Sequence, residues 1–289
     1  MKRLAKSWQI WRWVVSDYHS IDALSNSSLS VLKRSPTEFH ARFIAKTLRQ
    51  EETDAMRLGS AVHMLALEPE RFDEEYWIAT GPINSSTGEP YGRKTKKFEA
   101  WLAEVQSNDK RKLILQDEFA ESIEIAKAFQ SHPTIAAIMA SRAEKFFEFE
   151  HVDDFKWDGL EEWVRIKCKL DFVMPSEGII VDLKTTDNPS EYEWSWSAGS
   201  YGYHRQAAIY MDVMEAKYKR PFRFIFGVVR SKAPYEAHCY EPDEESICEG
   251  REEYRELAKQ WQVRMAKGDW SEESQKEVTR IRIRTRRKR

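Results

Sequence analysis

The chain has 289 residues, too many for a minimal module and suited to one large domain or two small ones. Apolar residues make up 41%, with 11 Trp, 11 Tyr and 14 Phe, enough bulk for a sizeable core, which excludes disorder as a description of the whole. Three separated cysteines, Cys168, Cys239 and Cys248, exclude a disulfide scaffold and a four-cysteine zinc or iron–sulfur centre within one chain. No stretch approaches the roughly 20 apolar residues of a membrane helix, and the opening MKRLAKSWQIWRWVVSD is a poor leader, so a cytoplasmic protein is expected. The net charge of −2 hides an uneven distribution. The last ten residues, RIRIRTRRKR, hold seven basic groups and no acid, and taking seven from 46 leaves 39 basic against 48 acidic residues. That tail is compatible with an edge strand, a phosphate-seeking arm or a solubilising end.

In chain order, residues 1–20 read as an extension and 21–140 as mostly helical. Ser27-Ser28-Leu29 opens a helix that stops at Ser35-Pro36, because the residue before proline resists helix. A second helix is predicted from Asp54 to Leu67, ending at Glu68-Pro69, and Gly81 to Lys97 reads as a long polar loop. Helical periodicity returns at Phe98–Val105 and Asp117–Phe129, and Pro133 opens another helix. A sheet core is expected over 141–242. Lys145–Val152 is an aromatic strand; Trp163–Met174 alternates, with Val164, Ile166, Cys168, Leu170 and Phe172 on one face and Arg165, Lys167, Lys169 and Asp171 on the other. Gly178–Leu183 and Phe222–Val229 are further strands around a helix at Tyr201–Ala216. A C-terminal helix over 243–267 completes a single domain, 21–270, followed by the basic tail, 271–289. The class is mixed α/β.

The segment KLDFVMPSEGIIVDLKTT carries the most chemistry. Pro175-Ser176-Glu177-Gly178 is a four-residue turn, so positions summing to 353 face each other: Met174 faces Ile179, Asp171 faces Asp182 and Lys169 faces Lys184. Facing side chains lie about 5 Å apart, where two carboxylates repel unless a cation or a shared proton compensates them. Two readings stay open on these residues: a site for a hard divalent cation, or a solvated ion-pair network. The Asp-x-Lys triplet alone is cheap, since Asp154-Phe155-Lys156 repeats it. His63 lies on a helix whose apolar residues Leu58, Val62 and Leu65 face elsewhere, which fits a structural or a ligating histidine. Tyr203, Gln206 and Tyr210 share one helix face.

Asp171 followed at eleven residues by Asp182-Leu183-Lys184 resembles the signature of the PD-(D/E)XK nuclease superfamily. Leu58-Gly59-Ser60-Ala61-Val62-His63, then Leu67-Glu68-Pro69 and Phe72, resembles the histidine motif of exodeoxyribonuclease VIII (RecE-type) and its phage-encoded relatives. Ser27-Ser28-Leu29 with Ser35-Pro36, Val181 to Thr186, and Tyr203-His204-Arg205-Gln206-Ala207-Ala208-Ile209-Tyr210 complete that family's series in order over about residues 20 to 240. Leu170 stands where the family commonly has proline, and the residues after about 245 match nothing in it.

The resemblance implies a restriction-endonuclease-like core, a central mixed sheet flanked by helices, with an N-terminal helical region. It implies that Asp171, Asp182 and the Leu183 carbonyl hold Mg²⁺ or Mn²⁺ with His63, that Lys184 orients a water or stabilises charge, and that Tyr203, Gln206 and Tyr210 contact DNA. Glu144 is the best match for the family's first-strand carboxylate, with Glu148 as rival. Arg165, Lys167 and Lys169 form a basic row expected to track the sugar–phosphate backbone. The implied activity is digestion of linear double-stranded DNA from an end, 5′ to 3′, leaving single strand for an annealing protein, by a chain that is a candidate for a homo-oligomeric ring. No iron–sulfur cluster and no membrane partner are expected. An endonuclease on the same fold and a non-catalytic DNA-binding partner remain alternatives.

Overall fold

A computed structural model of the protein describes residues 18–49, 53–109 and 111–272, with the single positions 278, 280 and 282. Most of the expected N-terminal extension and basic tail therefore lies outside the described residues.

The helices begin where the sequence supplies caps. Ser25 accepts from the Ser28 N–H at the start of α1 (Asn26–Arg34), and Ser28 returns a bond to the Ser25 N–H, satisfying donors that have no partner within the helix. Pro36 opens the short α2 (Pro36–Phe39). Thr53 caps α3 (Asp54–Leu67), whose buried face is Ala61, Val62, Met64, Ala66 and Leu67. A single turn, α4 (Phe72–Glu75), leads into β1 (Tyr76–Ala79). The polar loop holds one bridge, Ile83 to Pro90, and ends at Thr95, the cap of α5 (Lys96–Asn108). β2 (Lys112–Leu115) pairs parallel with β1, and α6 (Gln116–Ser131) and α7 (Pro133–Ala140) follow.

The main sheet is built from β3 (Phe146–Phe155), β4 (Val164–Met174), β5 (Ile179–Thr186), β6 (Arg223–Arg230) and β7 (Ala237–Tyr240), in that spatial order. β5 and β6 are parallel and the other neighbours antiparallel. Between β5 and β6 run α8 (Glu191–Tyr201) and α9 (Tyr203–Tyr218); α10 (Glu244–Lys267) closes the domain. The helix expected over Tyr201–Ala216 is α9, and α8 before it was not expected; the two are separated at Gly202, whose φ of 70° ends α8 in the left-handed region. The mixed sheet and its flanking helices otherwise agree with the expected fold class. Among the described residues no helix is long and apolar enough to cross a membrane.

Each face of the sheet has its own core. Val164, Ile166, Cys168 and Leu170 pack with α1, α9 and α10, including Leu29, Ala208 and Tyr254. Phe172, Met174, Val181 and Leu183 pack instead with α3 and α6, against Val62, Ile125 and Phe129. Each such large side chain contributes roughly 1.5–3 kcal/mol. Phe172 was expected beside Leu170, and it lies on the opposite face because both β3 and β4 change sides at one place. The Glu148–Asp171 pair is missing from an otherwise continuous ladder, and Glu148 has a φ of 44°, which breaks the two-residue alternation.

Candidate active site

The site sits where β4 and β5 part. The turn after β4 requires Gly178: its φ is 65°, and a Cβ there would lie 2.6 Å from the Pro221 carbonyl. Pairing then follows the predicted register, with Met174, Val173 and Phe172 opposite Ile179, Ile180 and Val181. The ladder stops there, one position short of Asp171 and Asp182. β5 continues along β6 to Thr186, so its other edge is left without a strand. The Leu183 N–H on that edge donates to Asp171 Oδ2 at 2.8 Å. The two aspartates are therefore at the fork itself rather than on a flat sheet surface.

Helices from both faces reach into the fork. α3 brings His63, whose Nδ1 is 3.3 Å from Asp171 Oδ1; both side chains stay partly exposed. One turn earlier, Gly59 lies beside the Thr185 hydroxyl. α9 brings Gln206, whose Nε2 donates to Asp182 Oδ1 at 2.8 Å. Asp182 is only 1% exposed. Its Oδ2 makes no hydrogen bond and meets only the Lys184 ammonium as an ion pair. Lys184 Nζ in turn lies 4.9 Å over the Tyr203 ring, a cation–π contact. The expected opposition of Lys184 and Lys169 does not occur: Lys169 pairs with Glu148 and Glu150 on the far side of β4.

The electrostatics follow from burying unlike charges together. Burial pushes the Asp182 carboxyl up to about 6, with Asp171 adding to the rise and Lys184 opposing it. Burial acts on Asp171 as well, but His63, Lys184 and the Leu183 N–H hold it below the usual carboxylate range. Burial would lower Lys184 and His63; the neighbouring aspartates outweigh it and raise both. Asp182 thus has one oxygen held by Gln206 and the other met only by the Lys184 ammonium, and its proton affinity stays elevated because burial outweighs that cation.

The donor set fits a hard divalent cation that keeps several waters: two carboxylates and the Leu183 carbonyl, with an imidazole beside them. Among the described residues no group of three or more His, Cys, Asp or Glu side chains is placed to hold a metal ion, so the two carboxylates would share the ion with the Leu183 carbonyl and water.

Other expected site residues lie elsewhere. Glu144 precedes β3, is exposed, and its charge acts on Tyr218, at the end of α9 opposite Tyr203. Fifteen helical residues separate those ends, roughly 22 Å, so Glu144 is not brought to the aspartates. Its rival Glu148 occupies the gap opposite Asp171 in the β3–β4 register, with its carboxylate 3.2 Å from Lys169 Nζ and 3.6 Å from Arg71. Arg71, overlooked in the sequence, also binds the buried Glu68 of the Leu-Glu-Pro motif at 2.9 Å. Gln206 and Tyr210 are buried, and the Tyr210 hydroxyl donates to the Lys169 carbonyl, so neither is free to meet DNA as expected; they support the fork from within.

The basic row is also corrected. Arg165 pairs with Asp154, and Lys169 with Glu148 and Glu150. Lys167 is buried and donates to the Tyr18 and Ile21 carbonyls. The edge of β4 that β5 vacates is filled by Leu24, hydrogen-bonded to Arg165 and Lys167 through the backbone, and this segment covers Lys167, the middle of the expected row.

A family model described as "PDDEXK-like domain of unknown function (DUF3799)" matches residues 25–279. The solved structure of a "putative exonuclease" from Eubacterium rectale superposes with a TM-score of 0.57 at 13% identity, over 94% of this chain and 96% of that one, a likeness of fold. The solved structure of SSO0001 aligns with 84% of this chain and 78% of that one at 11% identity and a TM-score of 0.40, too low to inform the comparison. No curated protein matches the sequence.

Proposed function

Because the chain belongs to the PDDEXK-like family DUF3799, within the PD-(D/E)XK superfamily, we propose that it is a metal-dependent deoxyribonuclease that hydrolyses phosphodiester bonds at the β4–β5 fork. The observation that carries this reading is the convergence of Asp171, Asp182 and Lys184, from two strands, with His63 from α3 and Gln206 from α9. Asp171, Asp182 and the Leu183 carbonyl would hold Mg²⁺ or Mn²⁺, with His63 beside them. When bound, such an ion polarises a phosphoryl oxygen and lowers the pKa of a water.

The chain's own residues do the rest. Gln206 and the Leu183 N–H fix the two carboxylates. Lys184, clamped between Asp182 and the Tyr203 ring, is aimed to orient the attacking water and to stabilise charge on the phosphoryl group. Hydrolysis adds the water oxygen to phosphorus and breaks one P–O ester bond, leaving a phosphate and a hydroxyl end.

The finer reading is an exonuclease on linear double-stranded DNA, running 5′ to 3′ and supplying single strand to an annealing protein. Its support is the motif order from Ser27 to Tyr210 and the name of the Eubacterium rectale neighbour. Assembly as a ring belongs to the same reading. The test is end-labelled linear duplex and a covalently closed circle, each with Mg²⁺. Release of 5′ label from the linear form with survival of the circle is expected, and Asp182→Asn should abolish it. Cleavage of the circle would make the protein an endonuclease; undiminished release by Asp182→Asn would refute the site.

A further inference from the structure

Lys184 carries its charge into a place where charge is costly. Its side chain is 17% exposed, and among the described residues its one ion pair is with Asp182. A lysine stem has four carbons and turns freely, so a single ion pair does not fix where the ammonium points. The second hold is aromatic: Nζ lies over the Tyr203 ring, 4.9 Å from its centroid.

That ring is itself held by other rings. Tyr203 is the first residue of α9, directly after the left-handed Gly202 that ends α8. Trp194, the one buried residue of α8, stacks on it with centroids 5.5 Å apart and planes 28° from parallel. Phe226 of β6 meets both, Tyr203 at 6.0 Å and Trp194 edge-on at 5.6 Å. Phe226 is also the β6 partner of Asp182 in the parallel ladder, and partners in neighbouring strands share a face of the sheet. Tyr201, 65% exposed, stacks on the Tyr203 ring at 5.6 Å. The acid, the lysine and rings from α8, α9 and β6 thus lie on one face beside the fork. Anchoring α8 accounts for Trp194, but not for a ring set against an ammonium instead of the aliphatic core.

We propose that Tyr203, Trp194 and Phe226 form an aromatic seat for the Lys184 ammonium, with Tyr203 touching it and Trp194 and Phe226 acting through Tyr203 as positioning residues. The negative face of the ring attracts the charge. An aliphatic side chain there would leave that flank of the ammonium with neither water nor a counter-charge. The inference rests on the nuclease reading above, which gives Lys184 its work at the phosphoryl group. Once Asp182 shares its charge with a bound cation, as that reading requires, the ion pair weakens and the ring is the hold that remains. Tyr203 then serves the reaction through Lys184 and not by gripping DNA, the role that the resemblance implies for it.

Two measurements on the full-length protein test the seat. In urea titrations with EDTA, Tyr203→Leu and Lys184→Met are combined in a double-mutant cycle. Their losses should be non-additive, with a coupling of about fivefold or more in the unfolding equilibrium constant. On linear duplex with Mg²⁺, Tyr203→Leu should lower kcat for nucleotide release at least about tenfold. The Kd for duplex, read by anisotropy in the Asp182→Asn background, should stay within about twofold. Tyr203→Phe, which keeps the ring, should recover most of the rate, and Trp194→Leu should show the same pattern more weakly. Tyr203→Met, likewise without a ring, replaces Tyr203→Leu if that variant does not fold. Additive losses in urea overturn the seat. So does a defect in Kd with kcat preserved, which would return Tyr203 to DNA contact, and so does a kcat defect that Tyr203→Phe shares, which would assign the role to the hydroxyl. Coupling in urea without nucleotide release by the parent sinks the nuclease reading alone; release by the parent with additive losses in urea sinks the seat alone.

Discussion

Gln206 Nε2 donates a 2.8 Å hydrogen bond to Asp182 Oδ1, so a helix on one face of the sheet fixes one acid while His63, on a helix of the other face, meets Asp171. Both contacts are made where the strands have separated and the backbone no longer holds the acids in register. Gln206→Leu keeps the volume and removes the donor. The buried carboxylate oxygen left without a partner costs about 1–3 kcal/mol and favours the protonated form of Asp182. Nucleotide release is expected to fall about tenfold near neutral pH, and its acid limb should move to higher pH. A pH–rate profile superposable on that of the parent would contradict the positioning role.

Much of this site was legible in the sequence because a four-residue turn with a glycine at its end leaves one register, and the register located Asp171 and Asp182 to within one ladder position. The parting of β4 from β5 was not legible. It depends on the change of face at Glu148 and Asp171, and a non-glycine residue with φ of 44° leaves no mark in the residue pattern. Lys167 looked like a free surface cation because strand alternation shows which face a residue takes, not that Tyr18 and Ile21 return to cover it. β1, β2 and β7 have four residues each, too few for a period to emerge. The Gln206–Tyr210 spacing correctly gave a shared helix face and gave no information on whether that face looks out or in.

In the metal-free protein the contribution of Asp182 and His63 to stability should fall as pH rises across neutrality. Burial raises the Asp182 carboxyl to about 6, above its ordinary value, and His63 is also raised. Groups whose folded-state proton affinity is raised contribute stability that is full at low pH and lost as pH climbs through the folded value. Between pH 5 and 7.5 both act in the same direction, with Asp182 worth on the order of 1 kcal/mol. In EDTA the melting temperature of the parent relative to Asp182→Asn should therefore fall over that window. Adding Mg²⁺ at pH 7.5 should restore the parent and leave Asp182→Asn unmoved. Burial lowers His132 and His151, which act in the opposite direction over the same window, so the check is the difference between parent and Asp182→Asn: a difference that does not fall with pH in EDTA would be incompatible with this balance.

The opposite sign is expected at the junction of α1, α9 and α10. Arg205 is 1% exposed, donates to Asn26 Oδ1 at 2.8 Å and pairs with Glu253, which also meets His204 and Lys33. Burial works against the Glu253 carboxylate, yet His204, Lys33 and Arg205 pull it down to about 2. Its stabilisation is present above the ordinary carboxylate value and disappears as pH falls toward 2. Glu253→Gln leaves a buried guanidinium short of its counter-charge and should cost about 2 kcal/mol at pH 7. In urea titrations the gap between parent and variant should narrow at pH 3. A gap that persists unchanged at pH 3 would mean that the loss is one of packing and not of charge.

Glu144 and Glu148 give the sharpest separation between sequence pattern and three-dimensional placement. Both match a first-strand carboxylate by spacing, but Glu144 faces Tyr218 at the far end of α9, while Glu148 fills the ladder gap beside Asp171 with Arg71 and Lys169 on its carboxylate. Removing the charge at Glu148 leaves Arg71 with Glu68 and Glu75 and Lys169 with Glu150, and withdraws one negative charge from the β3 position opposite Asp171. Glu148→Gln should thus lower nucleotide release at least about tenfold, a loss of 1.4 kcal/mol or more in transition-state stabilisation, and should raise the Mg²⁺ concentration needed for half-maximal rate. Glu144→Gln should leave both within about twofold, well under 1 kcal/mol. Metal titrations of the two variants side by side decide the matter: a large defect in Glu144→Gln with a silent Glu148→Gln would restore the assignment that spacing alone favoured.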